Sequence, residues 1–308
     1  MDRLSAMRLF VRIGQLGSFA RAAESLEISS ATATERMRRL EAEVKAKLLN
    51  RTTRRVALTE EGERYWKVCQ RVLEELEEVE HTIGDDRRLS RGRVMISANV
   101  GIFRAIMLPH LASFAQAHPE IRLQIIMTDQ RADFVREGID FAVRVGGLEN
   151  QDLMVRRVGA ATRVTVASPD YLRREGMPLS PDDLQKHRVI EFLLPQTGQT
   201  LEWEFADEAG KREIHFGGPI ALNDAEARVK LAEDGLGVAQ TLCFFAAQPI
   251  LEGKLIRLLS DWETAAPEIS ILYPRNKYLP ARVRAAMDFT AATIKDALEA
   301  SRRILYSA

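Results

Sequence analysis

The sequence predicts an α+β multidomain protein: an N-terminal winged helix-turn-helix, a long linker helix and a C-terminal α/β half. Three observations carry this reading. Residues 18–41 hold two short helical patterns joined by a tight break, the second rich in basic side chains. Residues 60–88 keep an apolar side chain every three or four positions. From Arg93 onward, apolar runs of strand length alternate with helical patterns. At 308 residues the chain is long enough for about two domains, each with its own core.

The first element is an amphipathic helix over Leu4, Met7, Leu9, Phe10 and Ile13. A second opens at Ser18, whose hydroxyl can accept an orphan backbone N–H, and buries Phe19, Ala22, Ala23 and Leu26 on one face. The two alanines are small enough for another helix to cross closely. Glu27 to Ser29 make the turn, with Ile28 as an inward plug, and Ser29 or Ser30 caps the third helix. That helix buries Ala33, Met37 and Leu40 and presents Ser30, Thr32, Thr34, Glu35, Arg36, Arg38 and Arg39. Short hydroxyls near its start can approach base edges, while the arginines reach phosphates, which is how a helix is offered to the major groove of DNA. The expected DNA-facing set is Ser18, Arg21, Ser30, Ala31, Thr32, Thr34, Glu35, Arg36 and Arg38. Alternating apolar residues around the basic stretch Arg51 to Arg55 suggest a β-wing, adding Arg51, Arg54 and Arg55 near the DNA backbone or minor groove.

Charge agrees. The whole chain balances 44 Lys and Arg against 44 Asp and Glu. Residues 1–60 nevertheless hold twelve basic against seven acidic residues, and residues 61–90 hold five against nine. The basic surplus sits where attraction to phosphate requires it.

These residues match a family. The segment resembles the winged helix-turn-helix of LysR-type transcriptional regulators in Gly17-Ser18-Phe19, Ala22-Ala23, Leu26-x-Ile28-Ser29, Leu40-Glu41, Arg51-Thr52-Thr53-Arg54-Arg55 and Leu58-Thr59-x-x-Gly62. It departs from the family pattern at Ser30-Ala31, where Gln-Pro is frequent, at Glu35, where a basic residue is common, and at Lys45, where glycine is usual. Glu35 would repel phosphate but could accept from a cytosine amino group.

The long helix is capped by Thr59 and led by Glu60, Glu61 and Glu63, which favour its positive end. Tyr65, Val68, Val72, Leu76, Val79 and Ile83 form a heptad-like seam that calls for a partner helix. The resemblance implies pairing with a second copy in an antiparallel dimer, and assembly as a tetramer of two dimers. Residues 84–92, charged and glycine-containing, mark a hinge.

In the C-terminal half, strands are expected at 94–98, 121–127 and 141–146, with helices at 102–117 and 131–137 between them. A second series follows: a strand at 163–167, a hairpin of 201–205 and 213–216 turned at 208–210, a strand at 220–222 and a helix at 224–233. Strands at 255–259 and 269–273 and a closing helix at 281–300 complete it. Repeated βα units imply a mainly parallel sheet. Asp140 to Gly146, Ala167-Ser168-Pro169-x-Tyr171-Leu172, Pro181-x-Asp183-Leu184 and Gly235-x-Gly237 resemble the LysR-type effector domain. That likeness implies a two-lobed fold related to type 2 periplasmic binding proteins. The expected domains are 1–59, DNA-binding; 60–91, linker helix and hinge; and 92–301, regulatory. Its lobe one would be 92–161 with 268–301, and its lobe two 162–267.

Ligands of open α/β sheets sit beyond the carboxyl ends of strands, facing helix N-termini. That rule nominates Asn99, Val100, Gly101, Thr128, Gly146, Ser168, Asn223, Asp224 and Gln240, with the neighbours Asp129, Gly147 and Thr241. A small organic acid would suit two such helix starts. Arg104 and Arg144 would add positive charge.

Other classes lack support. Gly14-x-x-Gly17 and Gly235-x-Gly237 form no dinucleotide fingerprint, and no nucleophile with a base, phosphate loop or metal spacing among the five histidines is visible. An enzyme, a metal site and a cofactor are therefore not expected. An exported solute-binding protein would need a signal peptide, and the charged, amphipathic N-terminus is not one. No long apolar run marks a membrane span, so a cytoplasmic location is expected. Cys69 and Cys243 are far apart in sequence, and Cys243 lies among apolar residues as a buried thiol. The partners expected are double-stranded DNA, a small-molecule effector and further copies of the chain. A DNA-bound repressor with a vestigial pocket is the alternative.

Overall fold

The computed structural model describes the chain except residues 1, 52–55, 85–90, 131–132, 147–152, 196, 208–209, 276–278 and 308, and except the side chains of residues 51, 74–75, 77–84, 135–136 and 307. Two compact units divide it: Met1–Gly92 with Asp133–Gly138, and Arg93–Ala132 with Ile139–Ala308.

The first unit opens with α1 (Arg3–Leu16), α2 (Phe19–Ser25) and α3 (Ser30–Val44). Local chemistry sets each boundary. The Asp2 carboxylate accepts from Leu4 N at 3.1 Å, and Gly17, at φ 60°, ends α1 by donating its N–H to the Ile13 carbonyl. Ser18 caps α2. Ser29, rather than Ser30, caps α3, its hydroxyl accepting from Thr32 N at 3.1 Å. The helices meet on a core that includes Leu9, Phe10, Ile13, Ala22, Ala23, Met37 and Leu40.

Strands β1 (Leu49–Arg51) and β2 (Val56–Leu58) pair antiparallel, with Leu49 opposite Leu58. Glu41 anchors the entry to this hairpin: one carboxylate oxygen accepts from Leu48 N at 2.8 Å and Leu49 N at 3.1 Å. Helix α4 (Glu60–Gly84) follows, and residues 85–88 of the expected helix lie outside the described set. The Thr59 hydroxyl donates to the Lys47 carbonyl at 2.6 Å and accepts from Gly62 N at 2.9 Å. Gly62 must lack a side chain, because a Cβ there would stand 2.0 Å from the Leu48 carbonyl oxygen. Trp66 Nε1 donates to the Val11 carbonyl at 3.0 Å and ties α4 to α1.

The expected seam of α4 resolves into two stripes. Tyr65 of that seam packs into the unit's own core beside Cys69 and Leu73, and the side chains of Val79 and Ile83 lie outside the described residues. Val68, Val72 and Leu76 lie on a second stripe, with Val72 38% exposed.

The second unit runs through β3 (Gly92–Ala98), α5 (Val100–Ile102), α6 (Leu111–Ala117) and β4 (Ile121–Met127). After the short α7 (Phe134–Glu137) of the first unit come β5 (Phe141–Val145), β6 (Leu153–Ala167), α8 (Pro169–Glu175) and β7 (Val189–Phe192). Then follow β8 (Trp203–Asp207), β9 (Gly210–Ile214), β10 (Ile220–Leu222), α9 (Ala225–Glu233) and β11 (Val238–Leu242). Last are α10 (Cys243–Leu251), β12 (Ile256–Leu258), β13 (Thr264–Pro274) and α11 (Ala281–Ser307).

Nine strands form one sheet in the order β10-β7-β11-β6-β13-β5-β3-β4, with β12 also on β6. The expectation of a mainly parallel sheet is corrected. β7 runs parallel to β10 and β11, and β3 to β5, but β6 and β13 pair antiparallel with their neighbours and with each other. These long strands join the two series into one sheet. Register shifts between Ala265 and Glu268 and between Ile269 and Ser270 interrupt their pairing. The single helix expected over 102–117 is broken by a π-helical turn, Phe103–Met107, and a 3₁₀ turn, Leu108–His110, where Pro109 supplies no N–H. The hairpin strands lie at 203–207 and 210–214 instead of 201–205 and 213–216. The core extends from Val94, Ile96 and Phe141 through Val164 and Ala239 to Ile271 and Ile294. A second cluster around Tyr171, Trp203 and Phe205 backs the β8–β9 hairpin.

Candidate functional site

The two faces of α3 have different neighbours. Ala33, Met37 and Leu40 are fully buried against α1 and α2, so the helix cannot rotate without exposing them. Ser30, Ala31, Thr32, Thr34, Arg38 and Arg39 are exposed, and Glu35 and Arg36 half-buried. The Thr32 hydroxyl lies 2.8 Å from that of Ser29, within the cap. A shallow hollow of about 530 Å³ lies between the start of α1 and the start of α3, with Asp2 and Ser5 on one wall and Ala31, Thr32, Glu35, Arg36 and Arg39 on the other. Asp2 and Ser5 were not singled out from sequence; they reach this face because α1 crosses α3.

Glu35 is the centre of a clamp. It accepts from Arg38 Nε at 2.8 Å and Nη2 at 2.9 Å, and from Arg39 Nε at 2.7 Å. The two guanidinium groups hold its carboxyl down at about 2, so it stays ionised. One of the two arginine charges is thereby neutralised in place. Ser18 and Arg21 have local partners: the Ser18 hydroxyl accepts from Arg21 N at 3.4 Å, and the Arg21 guanidinium donates to the Leu16 carbonyl at the end of α1. Arg54, Arg55 and the side chain of Arg51 lie outside the described residues; the strands flanking them are paired as a wing requires.

In the second unit most of the nominated residues have internal partners. Asn99 caps the helical run, its Oδ1 accepting from Ile102 N at 3.0 Å. Its amide donates to Asp129, and Val100 N donates to the same Asp129 oxygen at 3.1 Å. The place nominated for a ligand's acid is filled by the chain's own carboxylate. Asp224 likewise caps α9, accepting from Ala227 N at 2.9 Å, and an acid there would repel an anionic ligand. Ser168 caps α8 through Tyr171 N at 3.3 Å, and the Thr128 hydroxyl accepts from Gln130 N at 3.2 Å. Asn223 is exposed. Gly101 approaches Phe245 so closely that a Cβ would stand 2.7 Å from the ring. Gly146, at φ 58°, packs beside Pro267, and Gly147 lies outside the described residues.

Gln240 and Thr241, nominated as pocket residues, lie buried in β11, a strand not expected from the sequence. The Gln240 amide bonds both ways to the Glu204 backbone, accepting from its N–H at 3.0 Å and donating to its carbonyl at 2.8 Å. This joins β8 to β11. Arg144 donates to the Ser97 carbonyl and hydroxyl at 3.2 and 2.6 Å. Arg104 reaches Asp224 at 3.4 Å and Glu226 at 3.8 Å, a bridge between the first and second strand series. Burial raises Glu226 while Arg104 opposes that rise.

Both cysteines are buried and free; burial pushes the Cys69 thiol up to about 11 and raises that of Cys243. No group of three metal-ligating side chains, and no helix long and apolar enough to cross a membrane, occurs among the described residues.

A family model described as bacterial regulatory helix-turn-helix protein, lysR family, matches residues 4–63, and one described as LysR substrate binding domain matches residues 87–295. The chain belongs to the LysR family. It is 32% identical over 300 residues to YhjC of Escherichia coli K12, called an uncharacterized HTH-type transcriptional regulator, covering 97% of this chain and 100% of that one. It is 33% identical over 295 residues to the HTH-type transcriptional regulator PtxR of Pseudomonas aeruginosa, covering 94% and 93%. Among solved structures, CrgA of Neisseria meningitidis matches with a TM-score of 0.61 at 28% identity, covering 94% of this chain and 97% of that one. Full-length AphB of Vibrio cholerae matches with a TM-score of 0.59 at 28% identity, covering 94% and 98%. This LysR-type regulator is thus a DNA-binding transcription factor with an effector-binding domain, and its relatives are regulators, not enzymes.

Proposed function

We propose that α3 reads operator DNA through the major groove. Ser30, Ala31, Thr32 and Thr34 face bases there, Arg36 and Arg38 face phosphates, and Arg51, Arg54 and Arg55 of the wing reach the flanking backbone or minor groove. Ser18 and Arg21 steady the approach at the start of α2. The observation that carries this reading is the division of α3: a fully buried apolar face opposite a row of short exposed side chains that ends in arginines. Glu35 sets how much of the arginine charge DNA meets.

The second stripe of α4, Val68, Val72 and Leu76, pairs with another copy, and dimers assemble further into tetramers. A small-molecule effector binds where the two strand series face each other in the second unit, near Asn99, Val100, Gly101, Thr128, Gly146, Ser168, Asn223, Asp224 and Gln240. It biases an existing equilibrium between two arrangements of the DNA readers. The irregular β6–β13 pairing is the flexible joint for that change. The working location is the bacterial cytoplasm, where the chromosome lies.

Fluorescence anisotropy on a duplex from the region upstream of the regulated gene, beside a random duplex, tests the reading. Arg36→Ala weakens both duplexes alike and flattens the salt slope by about one. Thr34→Ala lowers affinity by ~1–3 kcal/mol only on the specific duplex. Equal losses on both duplexes for Thr34→Ala would remove it from base reading.

A further inference from the structure

Arg228, on α9, is a buried charge with no counter-charge. It is 6% exposed, and its Nε is enclosed without a hydrogen-bond partner. Its guanidinium forms no ion pair or hydrogen bond with any described residue. Its recorded contact is the Phe192 ring, whose centroid lies 4.9 Å away. Other enclosed arginines differ: Arg163 holds Glu204 at 2.9 Å, and Arg257 holds Glu263 at 2.6 Å. The acids of Arg228's own helix and its cap have other partners: Asp224 and Glu226 face Arg104, and Glu233 lies 3.9 Å from Lys230. Burial lowers the guanidinium to about 9, and the like charge of Arg163 pushes the same way, yet it remains charged at neutral pH. Its Nε is the part shut off from water without a partner, and a polar group left in that state is costly.

The location matches a ligand edge. β11 pairs with β7 at Val238 and Ala239, opposite Val189 and Ile190, and the two strands run on past that pairing to Thr241 and to Phe192. Leu222 of β10 is the partner of Phe192 on the other side. All three strands run parallel, which puts these residues toward their carboxyl ends, the edge where open α/β sheets take ligands. The Thr241 hydroxyl is also enclosed without a partner.

We propose that Arg228 anchors the effector, and that the effector is a small monocarboxylate whose apolar body lies against Phe192 and Leu222, with the Thr241 hydroxyl as a second polar contact. One negative charge suffices, because Arg104 and Arg163 are already balanced by Asp224, Glu226 and Glu204. This inference rests on the reading that an effector binds in the second unit, and it moves the anion site from the helix starts, which hold Asp129 and Asp224, to the sheet edge.

The test is thermal unfolding of the full-length protein with sodium acetate, butyrate or benzoate, against sodium chloride and the matching neutral amides. At least one carboxylate raises Tm by about 2–4 °C when present tenfold above its Kd, and its amide does not. Arg228→Met abolishes the shift and, without ligand, melts no lower than the parent, since it removes an uncompensated charge. Arg228→Lys keeps a smaller shift. A shift that survives in Arg228→Met, a ligand-free Arg228→Met that melts several degrees lower, or no shift with any of the carboxylates overturns the proposal. Amides that shift the parent and Arg228→Met equally would also overturn it, while leaving effector binding in the second unit intact.

Discussion

Glu35→Gln isolates what an acid in the middle of a DNA-reading helix does. The carboxylate makes three short hydrogen bonds, two to Arg38 and one to Arg39. Held at about 2, it contributes its clamp at any pH above the ordinary carboxylate range, and that contribution is lost only as pH falls toward 2. DNA binding between about pH 5 and 8 therefore shows no titration of this group. A glutamine amide is neutral and cannot balance either guanidinium. The substitution adds one positive charge to the face and frees two arginines for phosphate. Each new phosphate contact steepens the salt slope by about 0.9, so between about 50 and 200 mM salt one contact adds roughly 3.5-fold, and two roughly 12-fold, to the loss of affinity. Anisotropy on a labelled random duplex across that range reads the slope directly. The expected result is tighter non-specific binding with a slope steeper by about 0.9–1.8. A slope that is unchanged or shallower would refute the reasoning, because the clamp would then be orienting the arginines toward DNA or holding them where DNA does not reach.

Three further outcomes concern the frame around the reader. Lys45 ends α3 at φ 53°, a left-handed position that suits glycine, so Lys45→Gly stabilises the first unit by about 0.5–1 kcal/mol in chemical denaturation; a loss of stability would mean the lysine side chain matters more than its backbone strain. Gly62→Ala places a Cβ 2.0 Å from the Leu48 carbonyl oxygen, which forces the backbone of the wing entry or of α4 to move and costs about 1–3 kcal/mol; an unchanged melting temperature would contradict that contact. Val72→Glu puts a charge on the second stripe of α4, and light scattering after size exclusion shows a smaller assembly; the parental mass would place the dimer contact elsewhere.

The DNA-reading unit was legible because its determinants are local. Ser18 and Ser29 cap the turns that follow them within three residues, and the spacing of Ala33, Met37 and Leu40 chooses the buried face before any other element is placed. The seam of α4 was legible as a period but not as two stripes, since only the fold shows that Tyr65 turns toward α1 while Val72 does not. Helix α10 escaped the pattern because it is apolar on all sides and contains Pro249, so no amphipathic period marks it.

Sequence alone determined the family, the order of the helices in the first unit and the face that α3 turns outward, because caps and helical periods act over three or four residues. Tertiary structure decided the rest. It brought β6 beside β13 across about a hundred residues, gave Gln240 to the Glu204 backbone, set Asp129 at the start of α5 and left Arg228 without an acid. Whether a polar group is satisfied depends on what surrounds it in space, and those neighbours come from distant parts of the chain.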